Sequence, residues 1–126
     1  MDEKQTAIVL GAGDMPCAGI AIELARQGAH LILIDRDKEQ LQTVQKHIQG
    51  FGGQATVYEC DVDNPSAIAR VAMKVSALFG CCDYLVNRND REPLKVFSVK
   101  NIVRVHAEGS YAVGWVEKVM DTTEAI

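Results

Sequence analysis

The chain has 126 residues, 48% hydrophobic and 24% charged, with a formal net charge of -4, which describes one ordinary globular domain spanning 1–126 and leaves little room for a second. The acidic balance gives nucleic acid no electrostatic foothold, and no apolar run approaches the ~20 residues of a membrane span, so neither is an expected partner. The opening MDEKQ lacks the basic and apolar regions of a secretory signal, and the expected location is the cytoplasm.

TAIVL, partly β-branched and closed by glycines, predicts a buried first strand. A helix follows, with Ile20, Ala21, Leu24 and Ala25 at helical spacing, Asp14 as a candidate cap and Gly28 as the stop. HLILID is a continuous apolar run suited to a strand covered on both faces. Asp37 then caps KEQLQTVQKHIQG, a solvent-facing helix with a narrow Leu41, Val44 and Ile48 stripe. QATVYEC predicts the third strand. Asn64 caps the next helix, and Pro65 takes its first position, where a missing N–H costs nothing. Ile68, Val71, Ala72, Val75 and Leu78 form its expected buried face, and Gly80 ends it. DYLVN predicts the fourth strand, and a last helix is expected from about Ser98 to Met120.

Strand and helix alternate four times, which predicts an α/β fold: a doubly wound, Rossmann-like parallel sheet of order 3-2-1-4 with helices on both faces. The ligand crevice of such a sheet lies where the strand order reverses, at the carboxyl ends of strands 1 and 4. Gly11 to Cys17 and Asn87 to Asp90 both fall there.

These landmarks resemble, over nearly the whole chain, the N-terminal half of the short-chain dehydrogenase/reductase family of nicotinamide-dependent Rossmann enzymes. That family carries T-G-x-x-x-G-x-G after the first strand, an acidic residue after the second in NAD users, D-V after the third, N-N-A-G after the fourth and V-N in the fifth helix. Here LGAGDMPC keeps Gly11, Asp35 stands in the acidic place, Asp61 and Val62 reproduce D-V, NRND keeps Asn87, and His106 replaces the helical Asn. The resemblance implies a cofactor site at Gly11, Gly13, Asp35, Asp61, Val62 and Asn87. It further implies NAD rather than NADP, because the Asp35 carboxylate accepts from ribose hydroxyls and repels a 2′-phosphate. Arg36 beside it could meet a phosphate or stack on adenine.

The loop departs from the family pattern at Met15 and Cys17, which stand where glycines let the backbone approach the pyrophosphate. Pro16 removes an amide donor, and Asp14 sets a negative charge where a helix N-terminus attracts phosphate. Read as G-x-G-x-x-G, the segment puts Pro16 in the third glycine place. Two readings follow: a strand-to-helix turn with Asp14 as the cap, or an altered nucleotide loop. Asp35 and Asp61 likewise have turn or capping readings beside the cofactor one, and Cys17 reads either as an activated thiol at a helix start or as packing in the glycine's place.

Family chemistry needs a Tyr with a Lys four residues on. Tyr58, Tyr84 and Tyr111 are followed at that spacing by Val62, Arg88 and Trp115, so no catalytic residue is assigned. The chain reads as truncated before the catalytic half and non-catalytic alone, with no cofactor or weak NAD. The alternative is a residual NAD-binding domain that senses nucleotide or completes an enzyme with another chain. His30, His47 and His106 are scattered, so no metal site is expected. Cys17, Cys60, Cys81 and Cys82 lack C-x-x-C spacing and read as reduced thiols.

On the last helix, Ile102, Val105, Ala112, Val113, Val116, Val119 and Met120 form a sheet-facing arc, and Val103, Ala107, Tyr111 and Trp115 repeat on the other side. The second stripe predicts a homodimer interface, a use of this helix that the resemblance also implies. An uncovered edge on strand 4 gives a further reason for association.

Overall fold

The computed structural model describes residues 4–88 and 96–105. In chain order these form β1 (Thr6–Leu10), α1 (Cys17–Arg26), β2 (His30–Asp35), α2 (Lys38–Gly50), β3 (Gln54–Glu59), α3 (Pro65–Phe79), β4 (Cys82–Arg88) and β5 (Val99–Val105). The strands build one sheet of order β3-β2-β1-β4-β5, and every pairing is parallel.

Side-chain alternation in the strands sorts the core into two layers. Ala7 and Val9 of β1 and Leu31 and Leu33 of β2 point to the face covered by Leu24 of α1 and Leu41, Val44 and Ile48 of α2. Ile8, Leu10, Ile32 and Ile34 point to the other, covered by Ile68, Val71, Ala72 and Val75 of α3. With both faces covered, β1 and β2 need the unbroken apolar runs that the sequence carries.

The helix ends follow from local chemistry. The Asp37 carboxylate accepts from the Gln40 amide at 3.1 Å, and the Asn64 side-chain oxygen accepts from the Ala67 amide at 3.2 Å, each supplying an acceptor to an otherwise orphaned first-turn donor. Gly28 leaves α1 at a φ of 101°, a left-handed conformation that only glycine adopts without strain.

Several expectations are corrected. Residues 99–105 are strand, not helix: Val99, Ile102, Val103 and Val105 are β-branched and fit a pleated surface, and the segment pairs along β4 from Cys82↔Val99 to Arg88↔Val105. The edge of β4 is therefore covered, and among the described residues the outer strands are β3 and β5. Val103, assigned to an exposed helical stripe, is buried in the α1 side of the core. Its proposed stripe partners Ala107, Tyr111 and Trp115, with His106 and the arc from Ala112 to Met120, lie outside the described residues. Leu78 is 69% exposed, while Phe79, nearer the centre of the buried arc of α3, packs against the core. Asp14 does not cap α1 with its side chain: Pro16 holds the cap position, and Asp14 contributes its carbonyl to the Ala18 amide at 2.8 Å.

Among the described residues, no helix is long and apolar enough to cross a membrane.

Candidate functional site

The carboxyl ends of β1, β2, β3 and β4 converge on a crevice of about 170 Å³. Leu10 and Gly11 come from the end of β1, Asp14, Met15 and Cys17 from the loop and start of α1, and Asp35 and Arg36 from the end of β2. The turn after β3 supplies Asp61, Val62 and Asp63, and β4 ends in Arg88. Parallel order alone brings these segments together, because each strand delivers its last residue to the same edge of the sheet.

The loop is held by its own backbone donors. The Gly11 and Ala12 amides both donate to the Ile34 carbonyl, at 2.8 and 3.1 Å, the Asp14 amide donates to the Gly11 carbonyl at 3.2 Å, and the Ile20 amide donates to the Pro16 carbonyl at 3.2 Å. The Gly13 amide donates to Asp35 Oδ2 at 2.8 Å, and Pro16 has no amide hydrogen. Gly11 makes the turn at a φ of 69°. Gly13 has a different reason to be glycine: a Cβ there would lie 2.7 Å from the Gln40 Cβ and 3.0 Å from Asp35 Oδ2.

Asp35 is 9% exposed, and its other oxygen accepts from the Asp37 amide at 3.1 Å. A carboxylate offers about four lone-pair positions, so acceptor capacity remains toward the crevice. Asp61 accepts from the Asp63 amide at 2.9 Å, forming an Asx turn that leads into α3. Val62 packs partly against the α3-side core. The crevice thus gathers four carboxylates, of Asp14, Asp35, Asp61 and Asp63, against the guanidinium groups of Arg36 and Arg88.

Of the residues singled out in the sequence, Gly11, Asp35, Asp61 and Val62 line this crevice. Gly13 lies behind it, bonded to Asp35. Asn87 is buried within β4, in register with Arg104, and is not among the lining residues. Met15 is 72% exposed at the crevice, whereas Cys17 is buried and packs in the core with Ala18 and Ala21, which supports the packing reading of that thiol. Arg88 falls in the Asn87 to Asp90 stretch expected at this crevice, while Asp63 and Leu10 were not identified from the sequence. Their signal was positional: each lies at or just beyond the carboxyl end of a strand.

All four cysteines are free thiols, with Cys81 exposed and Cys17, Cys60 and Cys82 buried. Burial pushes the Cys60 thiol up from its ordinary pKa, and nearby Asp61 adds to the shift. Cys82 is likewise raised, chiefly by burial. Among the described residues, no group of three or more His, Cys, Asp or Glu side chains is arranged to hold a metal ion.

Comparison with known proteins places this geometry in context. The family model described as short chain dehydrogenase matches residues 5–106. A fatty acyl-CoA reductase of Acinetobacter baylyi is 32% identical over 87 residues, covering 69% of this chain and 30% of that protein. A metagenomic short-chain oxidoreductase crystallised with NADP superposes with a TM-score of 0.64 at 39% identity, over 71% of this chain and 39% of that one. A 7α-hydroxysteroid dehydrogenase complexed with NADH and 7-oxo glycochenodeoxycholic acid gives 0.63 at 30% identity, over 72% and 37%. The chain spans about a third of the length of the relatives it matches.

Proposed function

Because the chain belongs to the short-chain dehydrogenase family, we propose that the described residues form the nucleotide-side part of that fold, with a crevice that retains adenosine-side contacts for NAD and has lost its pyrophosphate cradle. On this reading the chain carries out no hydride transfer by itself. The observation that carries the proposal is the meeting of Asp35 with Asp61 and Val62 at one crevice. Asp35 has acceptor capacity for ribose hydroxyls, and the partly buried Val62 supplies apolar surface at the same crevice. Its charge opposes a 2′-phosphate, which favours NAD over NADP.

The residues fit the other half of the dinucleotide poorly. Met15 and Cys17 add side chains where the family has glycines, Pro16 offers no donor, and Asp14 brings negative charge to the start of α1. Catalysis by this chain alone lacks a proton relay, since no Tyr is followed four residues on by Lys. Self-association through the segment holding Ala107, Tyr111 and Trp115, and residence in the cytoplasm, where free thiols stay reduced, belong to the same proposal.

Calorimetric titration with NAD, and NADP beside it, tests the reading. NAD is expected to bind no tighter than about 1 mM, or ~-4 kcal/mol, and NADP more weakly still. Micromolar NAD binding overturns the lost cradle, and tighter binding of NADP overturns the role given to Asp35.

A further inference from the structure

Resting on the reading of this crevice as a nucleotide-derived site, we infer that its ligand is an uncharged nucleoside: adenosine binds more tightly than any phosphorylated form, NAD included. A phosphate is an acceptor and binds through N–H and cationic donors. A ribose hydroxyl is also a donor, which a carboxylate accepts.

The loop commits several of its amide donors within the chain. The amides of Gly11 and Ala12 are committed to Ile34, that of Gly13 to Asp35, that of Asp14 to Gly11 and that of Ala18 to Asp14. Pro16 has none. The anion-binding capacity of a helix start is therefore reduced at α1 by the missing Pro16 donor and the committed Ala18 amide. Charge acts in the same direction, because four carboxylates face two guanidinium groups around the crevice and Asp14 stands at the helix start.

For a neutral nucleoside the same features are favourable. Asp35 is held rigidly by the Gly13 and Asp37 amides, so its remaining acceptor positions are preorganised for a hydroxyl pair. The partly buried Val62 offers the base apolar contact. At about 170 Å³ the crevice is also smaller than the roughly 300–1,000 Å³ of sites that enclose drug-sized ligands, which suits the smaller molecule.

The experiment is a set of parallel titrations with adenosine, AMP, ADP and NAD at low salt, followed by amide chemical shifts of the isotope-labelled protein. Adenosine is expected to bind at least about tenfold more tightly than NAD, a difference of ~1.4 kcal/mol, with shifts centred on Leu10, Gly13 and Val62. Affinity should fall with each added phosphate. An Asp14→Asn, Asp63→Asn double variant, checked for an unchanged amide spectrum, should bring the adenosine-to-NAD ratio toward unity, as should added salt by screening.

NAD binding as tightly as adenosine, or more tightly, overturns the inference and leaves the nucleotide-side reading standing. Adenosine shifts centred away from the crevice, or a ratio unmoved by both the double variant and salt, also overturn it. Absence of binding by all four ligands removes the nucleotide-side reading as well.

Discussion

Asp35 Oδ2 accepts the amide hydrogen of Gly13 at 2.8 Å, and this one bond ties the turn after β1 to the end of β2. The second carboxylate oxygen takes the Asp37 amide, so one side chain organises both loops on this side of the crevice. Asp35→Ala should destabilise the fold by about 1–3 kcal/mol through the donors it leaves without an acceptor, and Asp35→Asn by less, since one acceptor oxygen survives. Urea midpoints check this. Midpoints unchanged in both variants would show that the bonds contribute nothing net.

The two loop glycines should fail for different reasons. Gly13→Ala drives a Cβ to 2.7 Å from the Gln40 Cβ, an overpacking cost of about 1–3 kcal/mol. Gln40→Ala should not rescue it, because the clashing carbon remains. Gly11→Ala meets no atom within 4 Å but must hold a φ of 69°, costing about 1 kcal/mol as backbone strain. Equal sensitivity of the two variants to Gln40→Gly in a double-mutant cycle would contradict this division.

His30 should make stability depend on pH. Its pKa is lowered from the ordinary value of 6.5, first by burial and then by the charge of Lys4. Its ring nitrogen lies 2.9 Å from Thr56 Oγ1, and Phe79 meets the ring edge-on at 5.1 Å. Near pH 6 the unfolded chain binds more protons than the folded one, so this contribution is fully present above 6.5 and is lost as pH falls through that value toward the folded pKa. Urea midpoints should therefore drop between about pH 7.5 and about pH 5.5, and His30→Gln should flatten that part of the profile. An identical slope in the variant would assign it to other groups.

Thiol chemistry should separate the cysteines by burial. Cys81 is exposed, while Cys17, Cys60 and Cys82 are buried, and burial raises the pKa of both Cys60 and Cys82. An aromatic disulfide reagent should react quickly with one thiol and release the other three only on unfolding, since the thiolate is the nucleophile. Loss of the fast phase in Cys81→Ser identifies it. A second fast thiol would show that the buried set opens readily.

The central strands and the helices were legible in the sequence because apolar runs, caps and glycine stops agreed with one another. TAIVL and HLILID could be nothing but doubly covered strands once helices flanked them, and Asp37 and Asn64 declared the starts of α2 and α3. The segment holding Val99, Ile102, Val103 and Val105 was misread because β-branched residues so spaced satisfy a helical arc and a pleated strand alike. Leu78 and Phe79 are adjacent and both apolar, and only the docking angle of α3 decides which is buried. At the crevice, the acidic residues could be placed from topology, but the close approach of Gly13 to Gln40 could not, since it depends on how α2 seats against the loop. Asp14, a candidate side-chain cap by its position, acts at the start of α1 only through its carbonyl.

The position of β1 between β2 and β4 also orders events during synthesis. Its Ala7 pairs with Leu31 on one side and with Tyr84 on the other, and the Thr6 amide reaches Asp83 across 77 residues. The β1-β2-β3 ribbon can assemble once Glu59 has emerged, but the second edge of β1 stays open until Tyr84 to Val86 arrive. Through that interval one edge of β1 presents unpaired amides and carbonyls beside buried apolar side chains. A nascent chain stalled before β4 is thus a template for a neighbouring copy, and ribosome spacing and chaperone access become conditions of correct folding.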